Sequence, residues 1–267
     1  MVIDELSKYR RHFSLTAQQF LAYRFSVFCS ISVDVFYPIA LILFWKAVYG
    51  AGEGAIAGFD LSDMVMYMIV KSFVSVFIHV RAPESVRKDI VGGGMTRHLL
   101  IPASYLLTHF FQNTGYKVSV WISMTVLLAL LFLFFLDDLQ FADELWVYPG
   151  GLLALILAYL LMFHFCFCLG LVSFWTESTP PLIAPLQVLF GGSVVPLVLL
   201  PEVLQKLADL LPFKSMLYFP IMVLIGKLSP EAFLYGIAMQ ALWLLIMLAG
   251  VKLLWWRGGR RYAAYGG

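Results

Sequence analysis

The feature that most constrains this chain is a series of six long apolar runs. They occupy residues 21–49, 64–80, 118–136, 152–175, 182–200 and 231–254. Each is close to the roughly 20 residues that an α-helix needs to cross a hydrocarbon core about 30 Å thick. The expected fold is an all-α integral membrane protein with six transmembrane helices. Composition agrees: 61% of residues are hydrophobic and 13% charged, whereas a soluble domain carries about a quarter charged residues. Six crossings consume most of the 267 residues, so the chain reads as a single transmembrane domain over residues 1–267. No room is left for an ATPase, receptor or catalytic domain outside the bilayer.

The first twenty residues contain no apolar h-region and no small-residue cleavage site, so no removed signal peptide is expected. Ile3, Leu6, Tyr9, Phe13, Ala17 and Phe20 recur at spacings of three and four. That pattern predicts an amphipathic helix over residues 1–20, lying in the membrane interface. Eleven of the eighteen basic residues fall in the amino-terminal segment, the second connection and the carboxyl end. The first and third connections hold Glu53, Asp60, Asp63, Asp137, Asp138, Asp143 and Glu144 and no Lys or Arg. The bias puts both termini in the cytoplasm. Trp45, Tyr49, Trp146, Tyr148, Trp255 and Trp256 mark span ends, as an aromatic belt does.

Two stretches depart from simple spans. The fifth carries Pro180, Pro181, Pro185, Gly191, Gly192 and Pro196, which predicts a broken or kinked helix. The connection after it, residues 201–230, is too apolar for a soluble loop and is punctuated by Pro201, Pro212, Pro220 and Pro230. It reads as a re-entrant helical hairpin, including Phe213 and Gly226, that dips into the outer leaflet and returns. The second connection, residues 81–104, is instead charged. Its first part extends span two as a helix through Ile90, and Gly92, Gly93 and Gly94 stop that helix and let the chain turn. The triple glycine is not a phosphate cradle, because neither GxxxxGK[ST] nor GxGxxG occurs. A charged knob protruding from a lipid-embedded protein reads as a docking surface.

Several segments together resemble a known family. The loop VRKDIVGGGMTRHLLIPASYLL and the proline-rich LPFKSMLYFPIMVLIGKL before the last span are similar to the permease subunit of type-2 ABC exporters. AYR at 22–24, FWKAVYG at 44–50, GFDLSDMVMYMI at 58–69 and the ending RGGRRYAAYGG resemble a compact six-span bacterial subgroup. The resemblance implies a permease without an enzymatic site of its own, pairing as a homo- or heterodimer in the bacterial inner membrane. It implies two cytoplasmic ABC ATPase subunits per complex, with ATP and Mg on those partners and no cofactor on this chain. It further implies export of a hydrophobic or amphiphilic compound, a lipid or a glycan; membrane lipid is the surrounding partner and no nucleic acid is expected. By resemblance, Glu84, Arg87, Lys88, Asp89, Gly92, Gly93, Gly94, Thr96 and Arg97 form the ATPase-coupling element, and the amino-terminal helix is a second contact. The triple glycine departs from the family's usual pattern of one acidic residue and one glycine.

Ionisable groups at bilayer depth are costly and therefore informative. Asp34 and Lys71 both sit near the middle of consecutive antiparallel spans and are expected to pair or to face one polar cavity. Arg24 and Lys46 lie near interfaces and are expected to snorkel. His164, Cys166 and Cys168 form HFCFC within span four; His164 and Cys168 share a helix face, yet no third or fourth ligand follows, so no metal site is expected. The cysteines, with Cys29, offer no disulfide framework. Two alternatives to a permease remain open at this level. One is a membrane enzyme, acyltransferase-like, using His79 and Glu84; the other is an accessory scaffold of an envelope complex.

Overall fold

The computed structural model describes residues 24–52, 54–100, 103–135, 139, 142, 144–176 and 183–262. The expected interfacial helix over 1–20 lies outside them. Among the described residues helices are the only extended regular structure, with one isolated antiparallel bridge between Ile56 and Phe59. Ten α-helices follow in order: α1 Arg24–Ala51, α2 Leu61–Ile78, α3 Ala82–Val91, α4 Met95–Leu100, α5 Tyr105–Phe134, α6 Val147–Leu171, α7 Ile183–Phe190, α8 Glu202–Asp209, α9 Phe219–Leu224 and α10 Pro230–Gly259.

Local chemistry explains the boundaries. Asp60 caps α2 and exchanges hydrogen bonds with Asp63 in a capping box: Asp63 N–H donates to Asp60 Oδ1 (2.7 Å) and Asp60 N–H to Asp63 Oδ2 (3.1 Å). Such a box satisfies two donors that a helix start leaves orphaned. Ser229 caps α10, with Pro230 in its first turn, where the missing N–H costs nothing. Ser104 caps α5, which begins thirteen residues before the apolar run expected from hydropathy. The early turns of α5 bury Thr108, His109, Asn113 and Lys117 against protein. Polar residues on an inward face are invisible to a search for greasy stretches.

Helix α6 is the hub of the bundle: α10, α3, α9 and α2 all pack on it. Glycines admit these neighbours closely, as small residues do between helices in lipid. A Cβ on Gly151 would lie 2.3 Å from Leu224, and one on Gly170 would lie 2.6 Å from Val86 Cβ. Three helical stretches among the described residues are long and apolar enough to cross a membrane: Leu61–Val91, Val147–Phe174 and Pro230–Gly259. Their most apolar windows are 67%, 61% and 11% buried respectively. The first two therefore form the interior, and α10 turns a nearly continuous apolar surface outward. Helices α1 and α5, of 28 and 30 residues, have the length to cross as well, about 42–45 Å at 1.5 Å per residue.

The fifth apolar run does not form a continuous helix over 182–200. Helix α7 has eight residues and ends where Gly191 and Gly192 turn the chain, too short to cross a core of about 30 Å. The prolines and glycines that interrupt the run supply the reason. After it, α8 meets a π-helical turn, Lys214–Tyr218, that continues into α9; the two arms are bent by 83°. Phe213, at the start of the second arm, packs edge-on against Phe165, near the far end of α6 (ring centroids 5.6 Å). Leu224, at its end, meets Gly151 in the first turns of α6. This arm thus runs beside α6 from its interior to its start.

Candidate functional site

Helix α2 ends at His79, and the chain restarts at Ala82 with Pro83 in the first turn of α3. The extension expected through Ile90 is therefore a second helix set off by a break, because proline cannot donate into a continuing helix. Ala82, Val86 and Ile90 recur every four residues and are buried; this stripe seats α3 on α6. The opposite face carries Glu84, Arg87 and Lys88. Arg87 grips Glu84 through two hydrogen bonds, Nη2 to Oε1 (2.8 Å) and Nε to Oε2 (3.1 Å), and Lys88 Nζ lies 3.7 Å from the same carboxylate. The Arg87 hydrogen bond holds the Glu84 carboxyl below its ordinary range. The result is an exposed, net-basic ridge.

Asp89 points the other way. Its Oδ2 accepts from Tyr105 Oη (2.9 Å) and lies 3.1 Å from His109 Nε2 and 3.3 Å from His98 Nε2. Burial pushes its carboxyl up, and the hydrogen bonds from His109 and Tyr105 outweigh that, so the net shift is downward. Helix α3 stops at Gly92, and Gly93 takes φ of +76°, a left-handed conformation that favours glycine. Helix α4 follows, with Thr96 Oγ1 3.1 Å from Tyr262 Oη and Arg97 exposed. Tyr262 also donates to the Gly93 carbonyl (3.3 Å), tying the far end of the chain to this turn.

Other groups cluster deeper. Lys71 is buried, with Nζ 4.5 Å from the centre of the Tyr37 ring on α1; the side chain of Asp34, its expected partner, lies outside those described. Lys117, absent from the expected sites, is 2% exposed. Its ammonium donates to the carbonyls of Val76 (3.4 Å) and Phe77 at the end of α2 and lies 4.7 Å from the Tyr159 ring centre. Gln240 of α10 is fully buried and donates to the carbonyls of Ser215 (2.9 Å) and Ala154 (3.0 Å). Where α9 ends, Gly226 turns with φ of +71°, and the next residue, Lys227, pairs with Asp63 at 2.5 Å. Pro201 precedes α8, Pro212 and Phe213 precede the π turn, and Pro220 stands in the first turn of α9.

A cavity of about 430 Å³ lies between α2, α6 and α7. Its wall is mostly apolar, with His79, Ser75, Gln187 and Ser193 as polar points. His79 lines it, whereas Glu84 is engaged by Arg87 and Lys88; no hydrogen bond joins His79 to Glu84. His164 Nδ1 is 2.7 Å from the Leu160 carbonyl, Cys166 Sγ 3.8 Å from Met162 Sδ, and Cys168 Sγ 3.7 Å from the Met247 carbonyl. Among the described residues these three do not converge on one point.

Residues 35–266 match the family model described as ABC-2 family transporter protein. The chain belongs to the ABC-2 transporter family. It is accordingly a multi-pass membrane protein and a membrane transport subunit, of a family whose permeases typically work with an ABC ATPase partner. No curated protein and no solved structure matches it. For an ABC-2 permease, the groups missed from sequence are the polar ones that helix packing assembles. His98, Tyr105 and His109 meet Asp89 from two further helices, and Gln240 reaches carbonyls 25 and 86 residues away. The four-residue spacing of His109, Asn113 and Lys117 on α5 was the one local signal available.

Proposed function

We propose that this ABC-2 permease is the six-span transmembrane subunit of an ATP-driven exporter, and that α3 and α4 dock a separate cytoplasmic ATPase. The observation that carries the reading is the division of α3 into a buried stripe, Ala82, Val86 and Ile90, and an outward charged ridge, Glu84, Arg87 and Lys88. Apolar seating fixes the helix to α6, so force applied to the ridge is passed to a helix that α2, α9 and α10 also contact. ATP and Mg belong to the partner, two copies of which serve a homo- or heterodimer of permeases in the bacterial inner membrane. Both termini are cytoplasmic, on the side of Arg81, Arg97, Arg257, Arg260 and Arg261.

The π turn and α9 are the re-entrant element, entering beside α6 and leaving at Lys227. The cargo is a hydrophobic or amphiphilic compound, a lipid or a glycan. A mainly apolar cavity with a few polar points supports an amphiphile. The outward face of α10, with Leu242, Leu245 and Leu253 exposed, requires lipid or a second permease over it.

Co-purification tests the docking reading. The ATPase should stay bound to the wild-type permease in mild detergent and be lost from the Arg87→Glu, Lys88→Glu double variant. Retention by that variant, with normal permease levels, contradicts the assignment.

A further inference from the structure

Asp89, His98 and His109 come from α3, α4 and α5, and each offers one ligand atom to the same small cluster. Their ligand atoms all lie within 4.8 Å of one another. Two of the edges are 3.1 Å, Asp89 Oδ2 to His109 Nε2, and 3.3 Å, Asp89 Oδ2 to His98 Nε2. Tetrahedral zinc, bound by nitrogen and oxygen at about 2.0–2.1 Å, requires ligand–ligand edges of about 3.3 Å. The two edges to Asp89 already have that size, and the third, between the histidines, is no longer than 4.8 Å.

The surrounding hydrogen bonds orient the ligands as a metal site needs. Ser85 has a single hydroxyl proton and lies 3.1 Å from the Ala82 carbonyl and 3.3 Å from His109 Nδ1. With that proton on Ala82, Ser85 Oγ accepts from His109 Nδ1–H, and the Nε2 proton now shared with Asp89 is the one that an incoming cation would displace. A metal-bound histidine characteristically donates its other N–H in this way. Tyr105 Oη donates to Asp89 Oδ2 (2.9 Å), holding the carboxylate in place. His109 is buried, whereas the side chains of Asp89 and His98 are 24% and 21% exposed, so an ion can enter from the surface.

We propose that Asp89, His98 and His109 form a binding site for a divalent transition cation of the zinc type, with Tyr105 and Ser85 as its supporting shell. Two nitrogens, one carboxylate oxygen and an open position suit zinc better than magnesium or calcium, which prefer all-oxygen shells. Occupancy ties α3 and α4 to the first turns of α5 through three ligand bonds, replacing two histidine–carboxylate contacts. The ridge of Glu84, Arg87 and Lys88 is thereby locked in position. Binding itself does not depend on the docking reading; the consequence for the ATPase does.

The test uses the untagged full-length permease in detergent, stripped with a chelator and titrated with Zn2+ and with Co2+ as a spectroscopic probe. The expected result is one ion per chain, intense visible Co2+ bands of tetrahedral type, and a higher melting temperature on adding Zn2+. His98→Gln leaves the buried His109 untouched and should fold; it should lose the bands and the zinc-dependent rise in melting temperature. Stoichiometric binding that survives both His98→Gln and His109→Gln overturns the site, as does a wild-type protein that binds no metal and melts identically with zinc and with chelator. Loss of zinc binding with unchanged ATPase retention in His98→Gln would leave the metal site standing and remove its control over docking.

Discussion

The α3–α4 elbow and the bent α8–α9 segment are both short helices joined by glycine or proline turns, and they are held in opposite ways. Helix α3 of the elbow buries three apolar side chains on one face and leaves Glu84, Arg87 and Lys88 outside. The second arm of the bent segment is buried nearly all round: Ser215 through Val223 have almost no exposure. The strongly exposed apolar residues of the segment lie on α8, as Val203 does, or just after it, as Leu210 does. The contrast is one of destination. A helix with one seated face and one charged face keeps that charged face open to water or to a partner, whereas a helix buried on every side fills a bundle.

Four changes probe that contrast, from the largest expected effect to the smallest. Gln240→Glu replaces two N–H donations to the Ser215 and Ala154 carbonyls by one at most. It sets a carboxyl oxygen against a buried carbonyl, at a cost on the order of 3 kcal/mol. Thermal unfolding in detergent should show a large loss of stability, and unchanged melting would mean that Gln240 does not hold the π turn. Gly170→Leu drives a side chain into Val86, whose Cβ a Gly170 Cβ would approach to 2.6 Å, costing about 1–3 kcal/mol by overpacking. It should also weaken ATPase retention without touching a charge on the ridge, measurable by co-purification.

Lys227→Ala strips a partner from Asp63, whose side chain is 10% exposed. The pair lies between a surface and a buried ion pair, so the loss should be about 1 kcal/mol. Lys227→Arg should restore most of it, as read from the unfolding midpoint. The Arg87→Glu, Lys88→Glu double variant should stay within about 0.5 kcal/mol of wild type while abolishing partner binding. A large loss of stability there would show that the ridge serves the permease's own fold rather than a partner.

The legible parts of this fold are those in which local chemistry sufficed. Apolar runs located α1, α2, α6 and α10, and the glycines at 92–94 marked the end of α3, because hydropathy and φ preference act over a few residues. The start of α5 was missed by thirteen residues, since His109, Asn113 and Lys117 are buried polar groups whose partners lie on α2, α3 and α6. The prolines and glycines of 182–200 signal a break but not its form, because Tyr67 and Leu217, which pack around the Gly191–Gly192 turn, are distant in sequence. The sequence pattern groups Asp89 with the exposed charges of the coupling element. Only the packing of α4 and α5 on α3 shows that it faces His98, Tyr105 and His109 instead.

The central claim is that the charged ridge of α3, and not the bent segment, meets the ATPase. A photoreactive amino acid placed at Lys88, and separately at exposed Val203 on α8, tests it in intact membranes of the native host. Docking on α3 should give an adduct of permease plus ATPase from position 88 and none from position 203. An ATPase adduct from position 203 with none from position 88 would contradict it.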